Sequence, residues 1–175
     1  MLWKMFEIEQ LEGLDSPENT AASICAAVAK IFRVRETEVA LLELTGTLLN
    51  FVYPAELKTA GAIPLSSSAV AARTARTKEP ELSNGFTQVT HFSIFELVKL
   101  GDTGLDAQVI QKLMSAPILA RNGKVIGVIQ VSRKAPRLDA AGPDFTPEDL
   151  RKLQSVGRSI GAMMATTQAT KAASV

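Results

Sequence analysis

One cysteine, one histidine, one tryptophan and one tyrosine in 175 residues are shortages that remove whole classes of chemistry. The lone Cys25 cannot close an intrachain disulfide or build a multi-cysteine metal site. It agrees with a reducing compartment, so a cytoplasmic location is expected. His91 stands alone, so neither a paired-histidine metal site nor a Ser-His-acid set with a histidine to spare is available, and no glycine-rich phosphate loop follows a strand. A non-enzymatic chain without a bound metal is expected. Net charge is also missing. Nineteen basic residues against eighteen acidic ones give no field to gather nucleic acid or an anionic membrane. Met1 to Leu14 carries Lys4, Glu7, Glu9 and Glu12, so it lacks the apolar core of a signal peptide or membrane span. What the chain does have is 46% apolar and 21% charged residues, the composition of an ordinary globular protein. One domain with a radius of gyration of ~16 Å is expected, needing no staple to bury its core.

The strongest local signals lie between Leu113 and Leu150. Apolar residues flank Arg121-Asn122-Gly123-Lys124, and Asn122-Gly123 predicts a tight two-residue hairpin with positive φ. Strict alternation would place Val125, Gly127, Ile129 and Val131 on one face and Ile126, Val128, Gln130 and Ser132 on the other. Both sets are largely apolar, which implies a central strand covered on both sides. Thr146 as N-cap, Pro147 as first helical residue and Asp149 completing a capping box predict a helix from Pro147 to about Gln168.

Elsewhere, Ala21, Ile24, Val28 and Ile31 recur at helical spacing, with Cys25 and Phe32 widening the stripe, and predict a core-facing helix from Pro17 to about Arg35. Thr37–Leu44 and Leu48–Tyr53 predict a second hairpin about Thr45-Gly46-Thr47. Residues 58–64 read as loop, Ser66 to Thr77 as a serine-capped helix, Glu81 to Thr90 as a brief strand and loop, and His91 to Leu100 as a short helix. The expected division is an N-terminal extension with a short helix over 1–15, one domain over 16–168 and a frayed tail over 169–175.

That order of elements, with Ile63-Pro64-Leu65, Ser66 to Ala72, Lys78-Glu79-Pro80, Met114-Ser115-Ala116-Pro117-Ile118, the strand Val125 to Val131 and Phe145-Thr146-Pro147-Glu148-Asp149-Leu150, resembles a GAF domain from about Pro17 to Met164. The resemblance implies an α+β three-layer sandwich. A central antiparallel β-sheet would carry the terminal helices on one face and short helices and loops over a ligand cavity on the other. It implies a sensor of bacterial-type signalling, often a homodimer through the terminal helices.

The cyclic-nucleotide branch of that family carries an asparagine-lysine pair, a phenylalanine and an aspartate-glutamate pair. This chain matches at Lys134, Phe145 and Asp149 and departs at Arg133 and Leu150. A structural ion pair between Lys134 and Asp149, with Phe145 in the core, is the preferred reading. Gln130 is polar inside an apolar strand, so it either faces the cavity or bonds a loop carbonyl. Ser67, within Ser66-Ser67-Ser68, precedes a helix whose free amides suit an anion, although capping alone explains it. His91 with Phe92 and Phe95 could hold haem or sandwich a ring, but a surface or half-buried histidine beside ordinary core packing of Phe92 and Phe95 is the preferred reading. Asn84 and Phe86 are placed in the pocket wall. Ser67, Asn84, Phe86, His91, Phe92, Phe95 and Gln130 are thus the candidate ligand contacts.

Cys25 in an apolar helix is expected to be inert, which disfavours bilin attachment and the disulfide chemistry of the family's enzymatic branch, the free methionine sulfoxide reductases. Two readings remain: a non-catalytic sensory module that binds an unidentified small molecule and signals through a terminal-helix dimer to a separate output protein, or a GAF-like dimerisation or interaction scaffold with no ligand. Phe32 and Met164 are the expected dimer contacts.

Overall fold

Residues 17–86 and 109–173 are described by the computed structural model. In chain order they form α1 (Pro17–Phe32), β1 (Val39–Thr45), β2 (Leu48–Tyr53), β3 (Ile63–Pro64), α2 (Val70–Thr77), β4 (Glu81–Ser83), β5 (Val109–Leu119), β6 (Val125–Ala135) and α3 (Pro147–Ala173). The six strands make one sheet in the order β3-β2-β1-β6-β5-β4, and every neighbouring pair is antiparallel. This is the expected α+β sandwich. The predicted short helices over 1–15 and His91–Leu100 lie outside the described residues.

Alternation sorts the apolar side chains into two cores. Val39, Leu41, Met114, Ala116, Ile118, Ile129 and Val131 join Ile24, Val28 and Phe32 of α1 and Leu153, Val156 and Ile160 of α3. On the opposite face Ala40, Leu42, Leu49, Phe51, Leu113 and Val128 join Val70, Ala71, Ala72 and Ala75 of α2. The central strands are therefore sealed on both sides, as their doubly apolar pattern required.

Strict alternation fails at three bulges, at Val52, Gln111 and Ile126, where one residue has no partner in the neighbouring strand. A bulge reverses the side-chain parity beyond it. Val125 consequently joins the α2-side core and Ile126 the helix-side core, the reverse of the alternation reading.

The hairpin between β5 and β6 also differs from expectation. Only Gly123 has positive φ, at 81°, while Gly123 N–H donates to Ala120 O and Ala120 N–H to Lys124 O, both at 2.9 Å. This is a three-residue loop closed by a left-handed glycine. Asn122 Oδ1 accepts from Lys124 N–H at 2.9 Å, so the asparagine caps the turn instead of adopting positive φ.

Helix α1 stops at Phe32, short of Arg35, because Arg33 turns left-handed at φ 54°. Val34 N–H then donates to Ala29 O at 2.9 Å and Arg33 N–H to Lys30 O at 3.3 Å, the Schellman pattern. Helix α2 begins at Val70 with Ala69 as N-cap and no side-chain cap, so the predicted serine cap is absent. Arg76 instead donates to Leu65 O and Ser67 O and organises that loop. Helix α3 opens on the predicted capping box: Thr146 N–H donates to Asp149 Oδ2 at 2.8 Å and Asp149 N–H to Thr146 Oγ1 at 3.1 Å. It runs to Ala173, so residues 169–173 continue the helix where a frayed tail was expected; Ala169, Lys171, Ala172 and Ala173 are strong helix formers with no breaker among them.

Two glycines set how close α3 lies to β5. A Cβ on Gly157 would fall 2.6 Å from Pro117 O, and one on Gly161 would overlap Leu119 O and lie 2.7 Å from its carbonyl carbon. Alanine at position 161 would gain ~1 kcal/mol of helix propensity. Backbone does not yield as a flexible side chain does, so overpacking at ~1–3 kcal/mol wins. Gly161→Ala is expected to lower stability by up to about 2 kcal/mol in urea unfolding; a gain in stability would mean that the helix rides higher on the strand than described.

Candidate functional site

The sheet face under α2 carries a buried polar row. Thr74 of α2, Ser115 of β5 and Gln130 of β6 are all buried. Thr74 Oγ1 and Ser115 Oγ lie 2.8 Å apart, and Gln130 Nε2 donates to Ser115 Oγ at 3.3 Å. The register places Ser115 directly opposite Gln130, so the pair lies side by side beneath the helix. Gln130's partner is thus a neighbouring strand hydroxyl, not a loop carbonyl. Thr74 escaped notice because Thr in a short Ala-Arg helix reads as solvent-facing; its burial follows from the small side chains of Ala71, Ala72 and Ala75, which let α2 sit low.

Beside this row is a hollow of about 30 Å³ lined by Val70, Arg73, Glu81, Leu82, Ser83, Phe86 and Leu113, room for about two water molecules. Arg73 bridges α2 to β4 by donating Nε and Nη2 to the two Glu81 carboxylate oxygens, both at 2.6 Å. Donating these hydrogen bonds to Glu81 raises the Arg73 pKa above its ordinary value. Phe86 is fully buried in this wall. Ser67 Oγ accepts from Ala69 N–H at 3.4 Å in the loop ahead of α2. Asn84 is turned away from the hollow: its Oδ1 accepts from Phe145 N–H and its Nδ2 donates to Phe145 O, both at 2.9 Å. His91, Phe92 and Phe95 lie outside the described residues.

On the terminal-helix side the expected Lys134–Asp149 ion pair gives way to other partners. Asp149 is committed to the helix cap, while Lys134 Nζ donates to Thr37 O at 3.0 Å and Lys134 N–H to Glu38 Oε2 at 2.6 Å. Strand β6 ends against the Glu36–Glu38 turn, so the lysine meets that turn first. Burial lowers the Lys134 pKa to about 8, with Glu38 opposing the shift and Arg35 adding to it. Burial raises the Glu38 carboxyl, but hydrogen bonds from Arg35 and Lys134 outweigh it and hold the group below its usual range. Phe145 is buried as expected, under the Arg133 guanidinium 4.6 Å from the ring centroid. Arg133 also donates to Phe32 O at 3.3 Å and Arg33 O at 3.4 Å, at the carboxyl end of α1. The link into the segment before α3 is Lys112, whose Nζ donates to Gly142 O at 2.7 Å and Asp144 Oδ1 at 2.6 Å. Its signal was the one that marked Gln130: a polar residue within an apolar strand. Cys25 is fully buried, and burial followed by Glu36 pushes its thiol up to about 12.

Among the described residues no cluster of histidine, cysteine or carboxylate side chains could hold a metal, and no helix is long and apolar enough to cross a membrane.

A family model described as GAF domain matches residues 15–165. No curated protein sequence matches the chain. Among solved structures, the GAF domain of a phosphoenolpyruvate-protein phosphotransferase from Acinetobacter is similar, with 15% identity, 95% of this chain and 92% of that chain covered and a TM-score of 0.71. The A. aeolicus nlh2 GAF domain in an inactive state has 14% identity, 94% coverage of each chain and a TM-score of 0.66. The GAF domain of a phosphoenolpyruvate-protein phosphotransferase from Coxiella burnetii has 10% identity, 98% and 96% coverage and a TM-score of 0.71. At such identities the likeness is one of fold.

Ser115→Ala is expected to lower stability by about 1–3 kcal/mol by stranding the Gln130 amide, and adding Gln130→Met should recover part of that loss in urea titrations. For Lys134 the folded chain releases its proton at about 8, below the ordinary value of 10.5. Over that window the unfolded chain holds more protons, so this group makes stability rise with pH. Unfolding measured between pH 7.5 and 10.5 should show a rise that Lys134→Met removes.

Proposed function

Because the chain belongs to the GAF domain family, we propose that it is a non-catalytic sensory or regulatory module. It takes a small molecule on the α2 side of its sheet and relays occupancy through its terminal helices. The observation that carries this reading is the inequality of the two faces. Among the described residues, one is covered by the 16-residue α1 and the 27-residue α3; the other has the eight-residue α2, a buried polar row and a hollow edged by Arg73 and Ser83. Convergent polar groups in an apolar wall are what orient a small ligand.

The non-catalytic part of the reading rests on the thiol: a fully buried sulfur with a pKa near 12 has almost no thiolate at neutral pH. Cyclic nucleotide is disfavoured because Lys134, Phe145 and Asp149 have separate structural tasks, and Arg133 and Leu150 replace two residues of that pattern. The same thiol argument speaks against bilin, and haem has no support beyond the single histidine. We place the protein in the cytoplasm as a homodimer whose contact includes α1 and α3: of the two expected contacts Met164 is only partly buried by its own chain, whereas Phe32 is buried in the core and its neighbour Ile31 is the partly buried one.

A second reading, a ligand-free dimerisation or interaction scaffold, is favoured by one observation: the polar row is bonded within itself and the adjoining hollow holds only about 30 Å³.

Thermal-shift screening against nucleotides, amino acids and small acids separates the two. A ligand at 100 times its Kd adds ~2.7 kcal/mol of stability, a clear rise in melting temperature. Arg73→Ala should abolish the rise; a flat screen across all classes would favour the scaffold. Sedimentation should give a dimer at micromolar concentration that Met164→Lys converts to monomer, and a wild-type monomer would exclude the helix contact.

A further inference from the structure

Resting on the sensory reading, we propose that Asn84 is the contact through which the state of the α2 face reaches the start of α3. Asn84 follows β4, the strand at the edge of the sheet. Two residues on, Phe86 is fully buried in the α2-side core and lines the hollow with Arg73, Glu81 and Ser83. Asn84 reaches the other way, round the sheet edge, to Phe145 in the helix-side core. Its amide bonds both the N–H and the C=O of Phe145, each at 2.9 Å. Two parallel bonds fix orientation as well as distance, so the segment cannot pivot about a single point. Phe145 immediately precedes Thr146, whose hydroxyl caps α3.

The chain of contacts is therefore short: hollow, Phe86, Asn84, Phe145, helix cap. A molecule that displaces Phe86 moves the backbone that carries Asn84, and the two-point clasp passes the shift to the first turn of α3. Arg133 over the Phe145 ring and Lys112 on the preceding Asp144 hold this segment from β6 and β5. They hold the receiving end against a fixed reference, so a shift arriving through Asn84 changes the cap geometry rather than dragging the whole loop. Coupling needs an element that both sites bias, and the cap at Thr146 is that element.

A double-mutant cycle read by amide hydrogen exchange tests this without any ligand. Phe86→Leu, which loosens the hollow, should speed exchange of the Leu150 and Arg151 amides by about five-fold with Asn84 present, and by less than about two-fold in Asn84→Ala. Leu153 and Val156 amides, deeper in the helix, should stay protected throughout. If Asn84→Ala alone unravels the first turn, Asn84→Asp serves as the background: it keeps the acceptor for Phe145 N–H, loses the donor, and should give an intermediate response. An equal effect of Phe86→Leu in every background, or none in wild type, overturns the proposal. Additive exchange alongside a binding ligand would sink this route alone, whereas intact coupling with a flat ligand screen would sink the sensory reading alone.

Discussion

The requirement that buried polar groups find partners decides how the pieces of this protein meet. Strands β5 and β6 are covered on both faces, yet they carry Gln111, Lys112, Ser115, Gln130 and Ser132 in buried positions. Each bonds at a different place: Gln111 to Ala135 O across the strand pair, Lys112 to the loop before α3, Ser115 to Thr74 of α2 and to Gln130, and Ser132 to Glu38 O ahead of β1. A buried group left unpaired costs about 1–3 kcal/mol. The hydrophobic effect alone would let helices slide on the sheet, since it is non-directional. The polar groups supply the registration.

Much of the fold was legible because period and punctuation agreed. Apolar spacing marked α1 and α3, the Thr146-Pro147-Asp149 set marked a helix start, and a strand apolar on both faces called for two covering layers. What escaped was whatever depends on contacts distant in sequence. The bulges at Gln111 and Ile126 reverse facing and are set by pairing across the hairpin, so no single strand announces them. Arg33 in a left-handed conformation is tolerated because Arg133, a hundred residues on, caps the freed carbonyls. Of the candidate ligand residues, Phe86 lines the hollow and Gln130 lies in the buried polar row, while Asn84 is bound to Phe145. Polarity in an apolar setting signals a partner without saying which. The same ambiguity produced the Lys134–Asp149 pairing: both residues are engaged, but each with the element that its own strand or helix meets first.

The two sides of the sheet answer to different physical demands. Where α3 crosses β5, glycines remove even a methyl group from the contact, and the layers meet backbone to backbone. Interfaces of that kind transmit displacement and tolerate little repacking. Around α2 the contacts are small side chains, a hydroxyl pair and an ion pair whose arginine is 40% exposed. That pair is bidentate, with both bonds at 2.6 Å, and it stands partly in water, where solvent screens it. One side is thus held by backbone contact and the other by directed polar contacts.

The position of Arg133 has a mechanical corollary. One guanidinium touches the last carbonyls of α1 and the ring that leads into α3. Swivelling either helix against the other would expose that ring and unseat the charge from the carboxyl end of α1, where the helix dipole favours it. A single side chain of β6 thus ties the end of one outer helix to the approach of the other, so neither end can be rebuilt without disturbing its counterpart.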